Sequence, residues 1–166
     1  MSRIDFAFGA PDRLRMACEV VRKHVAAGRK LLVYTRDEQR LAHFDRLLWS
    51  FDPTAFIPHV HADDALAADT PVVLTLQSPG PATVVPGVES GVQPEVQPGV
   101  NSGIDQRWLL NLDLQCPPGV EAFERVLEIV SNHDEDKQAA RERWVQYKAA
   151  GHTVHGHDVS KKAGQK

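Results

Sequence analysis

Three cationic side chains and an indole recur along one face of the segment Lys137–Gly151. At about 100° per residue in a helix they fall within one narrow stripe, which consists of Lys137, Arg141, Trp144 and Lys148. Cations around an aromatic ring suit an acidic peptide ligand that also carries an aromatic side chain. The same pattern also fits a solvated charged helix whose tryptophan covers a neighbouring element, and composition alone favours this second interpretation.

A second candidate for chemistry is a metal-binding motif, because His59, His61 and Asp63 have the HxHxD spacing of some metal-dependent hydrolases. That chemistry needs further His or Asp ligands from distant loops. The remaining histidines lie on or beside predicted helices, or in the chain after Gly151. We therefore expect a loop here, with Asp63 or Asp64 capping a short turn, and we retain a metal-dependent hydrolase as the alternative function.

Composition limits the classes of function that remain. The chain has 166 residues and a net charge of −3, which predicts one domain and no general attraction to DNA phosphates. A direct single-stranded-DNA binder that uses the basic stripe is therefore disfavoured. No segment has the apolar length of a membrane span, the N-terminus does not resemble a secretory signal, and Cys18 and Cys116 lack metal-binding spacing. We expect a cytoplasmic protein with reduced thiols and no membrane contact.

The elements that must position these residues alternate between strands and helices. Apolar runs predict strands at Ile4–Phe8, Lys30–Tyr34, Val72–Leu76 and Trp108–Leu112, and helical spacing predicts helices after Pro11, after Asp37, at Ala122–Val130 and at Asp134–Ala150. This order predicts an α/β fold, a Rossmann-like and mostly parallel sheet with helices on both faces. The loop after the first strand has neither GxGxxG nor GxxxxGKS/T, so we expect no phosphate-binding loop and no cofactor.

Two segments interrupt this alternation. The proline- and glycine-rich residues 77–103 partly repeat themselves and are predicted to be a flexible insertion in a single α/β domain that spans residues 1–151. Residues 152–166 are rich in histidine and lysine, and we expect them to form a partly disordered tail.

Three short motifs, in order along the chain, carry a family resemblance. They are the helix end LLW at Leu47–Trp49, the segment FIPH at Phe56–His59, and the block ARERWVQYKAAG at Ala140–Gly151. Together with the order of strands and helices, they make the chain resemble the chi subunit of bacterial DNA polymerase III. The resemblance covers nearly the whole chain except 77–103 and the tail. It implies a Rossmann-like accessory subunit in DNA replication, without nucleotide binding or catalysis, so we do not expect an enzyme.

The resemblance also implies partners and a binding site. Chi subunits pair with a psi subunit of the clamp-loader complex. Another surface of chi takes the acidic, Phe-ended C-terminal tail of single-stranded-DNA-binding protein, so that DNA is reached only indirectly. The family's tail-binding positions fall here on Lys137, Arg141 and Trp144, with Trp49 and Val130 nearby.

The remaining predicted contacts lie at Lys148 and in the segment Phe56–Pro58. Where the family often has a basic residue after its aromatic, this chain has Val145, so that contact is expected either to be lost or to pass to Lys148. The psi-facing surface is expected at Phe56, Ile57 and Pro58, because an apolar segment that ends in proline can stay exposed for a partner.

Overall fold

Strands and helices alternate through most of the chain. The computed structural model describes residues 2–50, 57–76, 107–117, 119–120 and 123–159. In chain order the elements are β1 (Arg3–Ala10), α1 (Arg13–Ala26), β2 (Leu31–Tyr34), α2 (Glu38–Ser50), β3 (His59–His61), a 3-10 turn (Ala67–Asp69), β4 (Val72–Thr75), β5 (Trp108–Asn111), β6 (Arg125–Ser131), α3 (Asp134–Ala149) and β7 (Thr153–Asp158). The insertion predicted at 77–103 lies outside the described residues.

The described strands form one parallel sheet. Their order is β3-β4-β2-β5-β6-β1-β7, so β3 and β7 are the two edge strands. Because all of them run in the same direction, their first residues share one end of the sheet, the amino end, and their last residues share the carboxyl end. The predicted α/β fold with a mostly parallel sheet is confirmed.

Helices cover both faces of this sheet, as predicted. Helices α1 and α2 pack on one face, which we call the α1 face. Its core includes Met16, Val21, Leu41, Phe44, Leu48, Leu31, Val33, Val72, Leu74, Leu110 and Ile129. Helix α3 packs on the opposite face, the α3 face. The core there includes Ile4, Phe6, Leu32, Tyr34, Leu109, Val126, Val130, Ala140 and Tyr147. Both faces of the central strands are therefore removed from water, which is why those strands are apolar at nearly every position.

Side-chain caps fix the starts of the first two helices. The Asp12 carboxylate accepts a hydrogen bond from the Arg15 N–H at 3.2 Å and caps α1. Asp37 caps α2, since its carboxylate accepts hydrogen bonds from the N–H groups of Gln39 and Arg40 at 3.0 and 3.2 Å. Each helix thus begins at the residue where a carboxylate can satisfy its first N–H groups.

The segment Ala122–Val130, predicted as a helix, is mostly a strand. β6 spans Arg125–Ser131 and pairs with both β5 and β1. Its residues after Arg125 are all buried. A strand covered on both faces is apolar nearly throughout, so its residues also match helical spacing. The helix prediction is therefore wrong, and burial on two sides is the physical reason.

Residues 153–158, expected to belong to a disordered tail, form strand β7. This strand pairs in parallel with β1, from Thr153 opposite Arg3 to Asp158 opposite Phe8. Its side chains are mostly exposed, so no apolar alternation marks it in the sequence. The main chain nevertheless gains hydrogen bonds from the free side of β1. The expectation of disorder is wrong for these residues, and residues 160–166 lie outside the described part of the chain.

Candidate functional site

A pocket of about 660 Å³ opens at the carboxyl end of the sheet, between α3 and the strands β1 and β6. Most of the surface that lines it is apolar. The lining residues are Phe6, Phe8, Gly9, Val130, Ser131, Asn132, Lys137, Ala140, Arg141, Trp144, Val145 and Asp158. Four of the residues predicted to bind a ligand, three on α3 and one on β6, therefore share one pocket.

Trp144 forms one wall of this pocket and also contacts the core. Its ring centroid lies 5.1 Å from that of Phe6, with the two planes tilted by 49°. A Cβ atom on Gly156 would lie 3.2 Å from Phe8 Cε1 and 3.5 Å from Trp144 Cη2, so a residue without a side chain lets both rings pack against β7. The aromatic wall is held by these contacts before a ligand arrives, which lowers the entropy cost of binding.

Two cations and one carboxylate lie around the pocket. Lys137 and Arg141 are exposed on α3, one helical turn apart. Asp158, at the end of β7, is the acidic residue among the described lining residues. A ligand carboxylate placed at Arg141 would accept charge-assisted hydrogen bonds. The charges therefore favour an anionic ligand, and Asp158 partly offsets that preference.

Lys148 lies beside Trp144 rather than in the pocket lining. Its Nζ atom is 5.6 Å from the centroid of the Trp144 ring, which is within the range of a cation–π contact. The predicted stripe is thus continuous on α3, and Lys148 forms its outer end.

A buried polar network fixes the rotation of α3 about its own axis. Glu128 on β6 is fully buried and accepts hydrogen bonds from Arg143 Nε at 3.0 Å, from the Tyr147 hydroxyl at 2.6 Å and from Asn111 Nδ2 at 2.8 Å. Burial, and then the charge of Glu128, raises the pKa of Tyr147 far above its usual value, so the hydroxyl stays a donor. With Arg143 and Tyr147 held inward, the stripe has to face the pocket.

The carboxyl ends of β5 and β6, where open α/β folds commonly bind ligands, are occupied by a side chain of the protein itself. Arg13 of α1 is buried, and it donates from Nε to the Ile129 carbonyl and from Nη2 to the Asp113 carbonyl, both at 2.9 Å. Burial, followed by repulsion from Arg143, lowers the pKa of Arg13 to about 10. The pocket on the α3 face is therefore a different site from the usual nucleotide crevice.

Trp49, predicted to join the stripe, lies elsewhere. It is near the end of α2 on the α1 face, and its ring centroid is 4.4 Å from that of His59 on the edge strand β3. The pocket is at the other side of the sheet, near the edge strand β7. Trp49 is therefore not grouped with Lys137, Arg141 and Trp144, because α2 and α3 pack on opposite faces of the sheet.

The segment predicted to face a psi subunit is only partly accessible. Ile57 is 4% exposed and belongs to the core of the α1 face, whereas Pro58 is half-buried. Phe56 lies outside the described residues. Trp49, with 53% of its surface exposed, is a large apolar side chain that reaches solvent in this region. The prediction of an exposed Ile57 is therefore wrong.

The HxHxD motif is a structural element in this protein. His59 and His61 belong to β3, and both rings face Asp45 of α2, at 2.7 Å from His59 Nε2 and 3.4 Å from His61 Nε2. The other ring nitrogen of His59 contacts the Ile57 carbonyl at 2.8 Å. Asp63 lies beyond β3 in the following turn, and no group of three or more potential metal ligands occurs in the described residues. The local geometry thus gives no support to the hydrolase alternative.

Apart from Val130, sequence reasoning missed the residues that the strands contribute to the pocket. Phe6 and Phe8 alternate along β1 and so lie on one face, which is a period-two signal that the sequence does contain. It does not tell which helix covers that face. Asp158 is missed for another reason, because its segment carries no strand pattern at all.

No helix of the described residues is long and apolar enough to cross a membrane.

Comparisons with known proteins identify the same family as the sequence motifs. The family model described as "DNA polymerase III chi subunit, HolC" matches residues 1–155. A protein of Pseudomonas aeruginosa named "DNA polymerase III subunit chi" is 30% identical over 161 residues, which cover 95% of this chain and 96% of that protein. Proteins of the same name from Haemophilus influenzae and Escherichia coli are each 24% identical over 137 residues, 82% of this chain and 80% and 79% of theirs.

Proposed function

The chain belongs to the DNA polymerase III chi subunit family, and we propose that it binds the acidic C-terminal tail of single-stranded-DNA-binding protein in the α3 pocket. The family assignment makes it an accessory subunit in DNA replication, and none of the relatives' names indicates catalysis. The observation that carries the proposal is the pairing, in one pocket, of an aromatic wall with two exposed cations.

The chemistry of the pocket matches an acidic peptide that ends in phenylalanine. The terminal ring would pack against Trp144, Phe8 and Val130, where aromatic and aliphatic surface is already in place. The terminal carboxylate would accept hydrogen bonds from Arg141, and Lys137 would attract the acidic side chains that precede it. A small peptide site of this kind is expected to bind with a dissociation constant of about 1 μM, and binding should weaken as salt is added.

We further propose that the region around Trp49 and Pro58 contacts a psi-like subunit of the clamp loader. A tryptophan that is 53% exposed beside an edge strand is an unusual surface feature, and buried tryptophans dominate the energetics of many interfaces. We therefore assign Trp49 to the surface for this partner rather than to the tail site, where the family resemblance suggested it. This surface and the pocket lie on opposite faces of the sheet, so both partners could be bound together.

Titration calorimetry with a synthetic acidic peptide tests the tail proposal. The peptide that ends in Phe should bind, and the same peptide without that residue should bind at least tenfold more weakly, since it loses both ring burial and the correctly placed carboxylate. On the protein side, Arg141→Ala should abolish measurable binding, because removal of a charge-pairing anchor costs about 2–5 kcal/mol when the pair is desolvated.

Arg15→Ala is the matched control for that titration. Arg15 is exposed on α1, on the opposite face of the sheet, so its removal changes the net charge by the same amount without touching the pocket. Equal affinities of the two variants, or equal affinities of the two peptides, would show that the pocket is not the tail site.

A further inference from the structure

Basic side chains cluster at the amino end of the sheet, far from the α3 pocket. The cluster surrounds Trp108, the first residue of β5, which is half-buried. Arg29 and Arg125 lie against its ring, Arg3 shares Asp5 with Arg125, and in the chain Lys23 directly precedes His24 and Lys30 directly follows Arg29. We call these five basic residues the amino-end cluster. Because β1 has eight residues, this cluster and the pocket at the carboxyl end of the sheet are separated by about 25 Å.

Trp108 organises the cluster by stacking with guanidinium groups. The guanidinium carbon of Arg29 lies 4.2 Å from the Trp108 ring centroid, and that of Arg125 lies 4.3 Å from it. The His24 ring meets the same indole edge-on, with centroids 5.1 Å apart. Arg29 itself is exposed, so its cationic side chain is accessible to a ligand from solvent.

The electrostatics of this region are positive although the chain as a whole is acidic. Burial is the main cause that lowers the pKa of His24 to about 4; the nearby charges of Arg125, Arg29 and Lys23 lower it further, and Asp5 acts in the opposite direction. The buried Arg107 adds a further charge, because it donates to main-chain carbonyls and forms no ion pair with a carboxylate in the described residues.

Among the described residues, two carboxylates lie within the cluster, and they do not neutralise all of its positive charge. Asp5 is buried and is shared by Arg3, Arg125 and His157, so it fixes the arginines in place. Glu124 is exposed in the loop that precedes β6. Arg29 and Lys30 are therefore exposed cations in addition to the two arginines that are paired with Asp5.

We propose that the amino-end cluster binds single-stranded nucleic acid, with a base stacked on Arg29 and phosphates held by Lys30, Arg3 and Arg125. Unpaired bases stack on guanidinium planes as well as on aromatic rings, and arginine and lysine bind the backbone phosphates. The Arg29–Trp108 stack offers such a plane at the surface. A duplex has no free base face to offer, and the net charge of −3 disfavours a site that depends on charge alone. This proposal is independent of the tail-peptide site.

Fluorescence anisotropy of the full chain with a labelled oligothymidylate tests this directly. We expect weak binding, with a dissociation constant of about 10–100 μM, that decreases on the order of tenfold between about 50 and 200 mM salt. The double variant R29Q and K30Q should bind at least tenfold more weakly. The matched double variant K137Q and R141Q, in the pocket, should keep its affinity for the oligonucleotide and lose that for the tail peptide. The opposite pattern, or no binding by the unaltered protein, would overturn the proposal.

Two further comparisons separate stacking from simple charge. Arg29→Lys keeps the charge and removes the planar group, so it should weaken oligonucleotide binding at least threefold, whereas Lys30→Arg should not. Equal affinities of Arg29→Lys and the unaltered protein would refute the stacking contact. Polyglutamate should compete poorly. If polyglutamate or a duplex binds as tightly as the single strand, the cluster is a general anion surface and the proposal is wrong.

Discussion

Arg141 and Arg143 are separated by one residue on α3 and lie in opposite environments. Arg141 is exposed at the pocket, and no ion pair joins it to another described residue. Arg143 is 2% exposed and is bonded to the buried carboxylate of Glu128 and to the Leu114 carbonyl. Two residues of the same type thus have different functions, which the rotation of a single helix determines.

The comparison shows how one helix can both stabilise the fold and present a binding surface. The inward side of α3 contains two polar anchors, Arg143 and Tyr147, where a helix of a typical core would have leucine. A carboxylate at Glu128 can be satisfied only by donors in a defined geometry, so these anchors allow one rotation of the helix. Apolar side chains at these two positions would allow α3 to rotate about its own axis. Such a rotation would move Arg141 away from the pocket.

Replacing Arg143 with Ala gives the largest expected effect. It leaves the Glu128 carboxylate buried without its cation, and breaking a buried pair in this way costs about 3–5 kcal/mol in free energy of unfolding. Arg141→Ala should change that free energy by less than about 0.5 kcal/mol, since it removes an exposed side chain. Urea denaturation followed by circular dichroism measures both. Similar losses in the free energy of unfolding for the two variants would mean that Arg143 is not a structural anchor distinct from Arg141.

Tyr147→Phe isolates the second anchor. The hydroxyl donates to a charged, fully buried carboxylate, and such hydrogen bonds contribute about 1.5–3 kcal/mol. The ring remains and continues to fill its place beside Phe6, so no cavity forms. The same urea experiment should show a loss in this range. A loss below about 0.5 kcal/mol would mean that Arg143 and Asn111 satisfy Glu128 without the tyrosine.

Part of this arrangement could be predicted from the sequence. Helical geometry places Lys137, Arg141 and Trp144 on one side of α3, and the structure confirms that they line one pocket. That prediction succeeds because it uses only neighbours on one helix, whose relative positions are fixed by 3.6 residues per turn. The parallel α/β sheet was predictable for a similar reason, since alternating elements restrict the possible topologies.

The predictions that fail depend on contacts between distant parts of the chain. Trp49 is near the stripe in the family pattern, but the packing of α2 on the opposite face separates it from α3. The role of Arg143 depends on Glu128, which is on a strand that periodicity suggested to be a helix. Strand β7 pairs through its main chain and leaves no side-chain signal. Burial and pairing between elements, rather than local periodicity, determine all three.

Trp144→Ala and Lys148→Ala compare an aromatic wall with an outer cation on the same stripe. Trp144→Ala should weaken tail-peptide binding by about 1–2 kcal/mol, through lost burial and stacking that salt hardly screens. Lys148→Ala should cost less than about 1 kcal/mol and should flatten the salt dependence, because an exposed lysine contributes mainly screened attraction. Peptide titrations at low and high salt distinguish the two. A larger loss for Lys148→Ala at high salt would mean that the peptide is held mainly by charge, or binds elsewhere.

Asp158→Asn should give the smallest effect, and in the opposite direction. Asp158 lines the pocket that contains Arg141 and Lys137, so its negative charge opposes an acidic ligand. Asparagine keeps the size of the side chain and the main-chain pairing of β7 with β1, and it removes the negative charge. Affinity for the acidic peptide should therefore rise by about 0.2–1 kcal/mol, and more at low salt than at high salt.

Asp63→Asn is the matched control, since it changes the net charge equally at an exposed turn beyond β3, on the other side of the sheet. If the two variants gain affinity equally, net charge alone attracts the peptide. A gain confined to Asp158→Asn would show that the position of a charge at this pocket, as with the two arginines of α3, matters more than its presence in the chain.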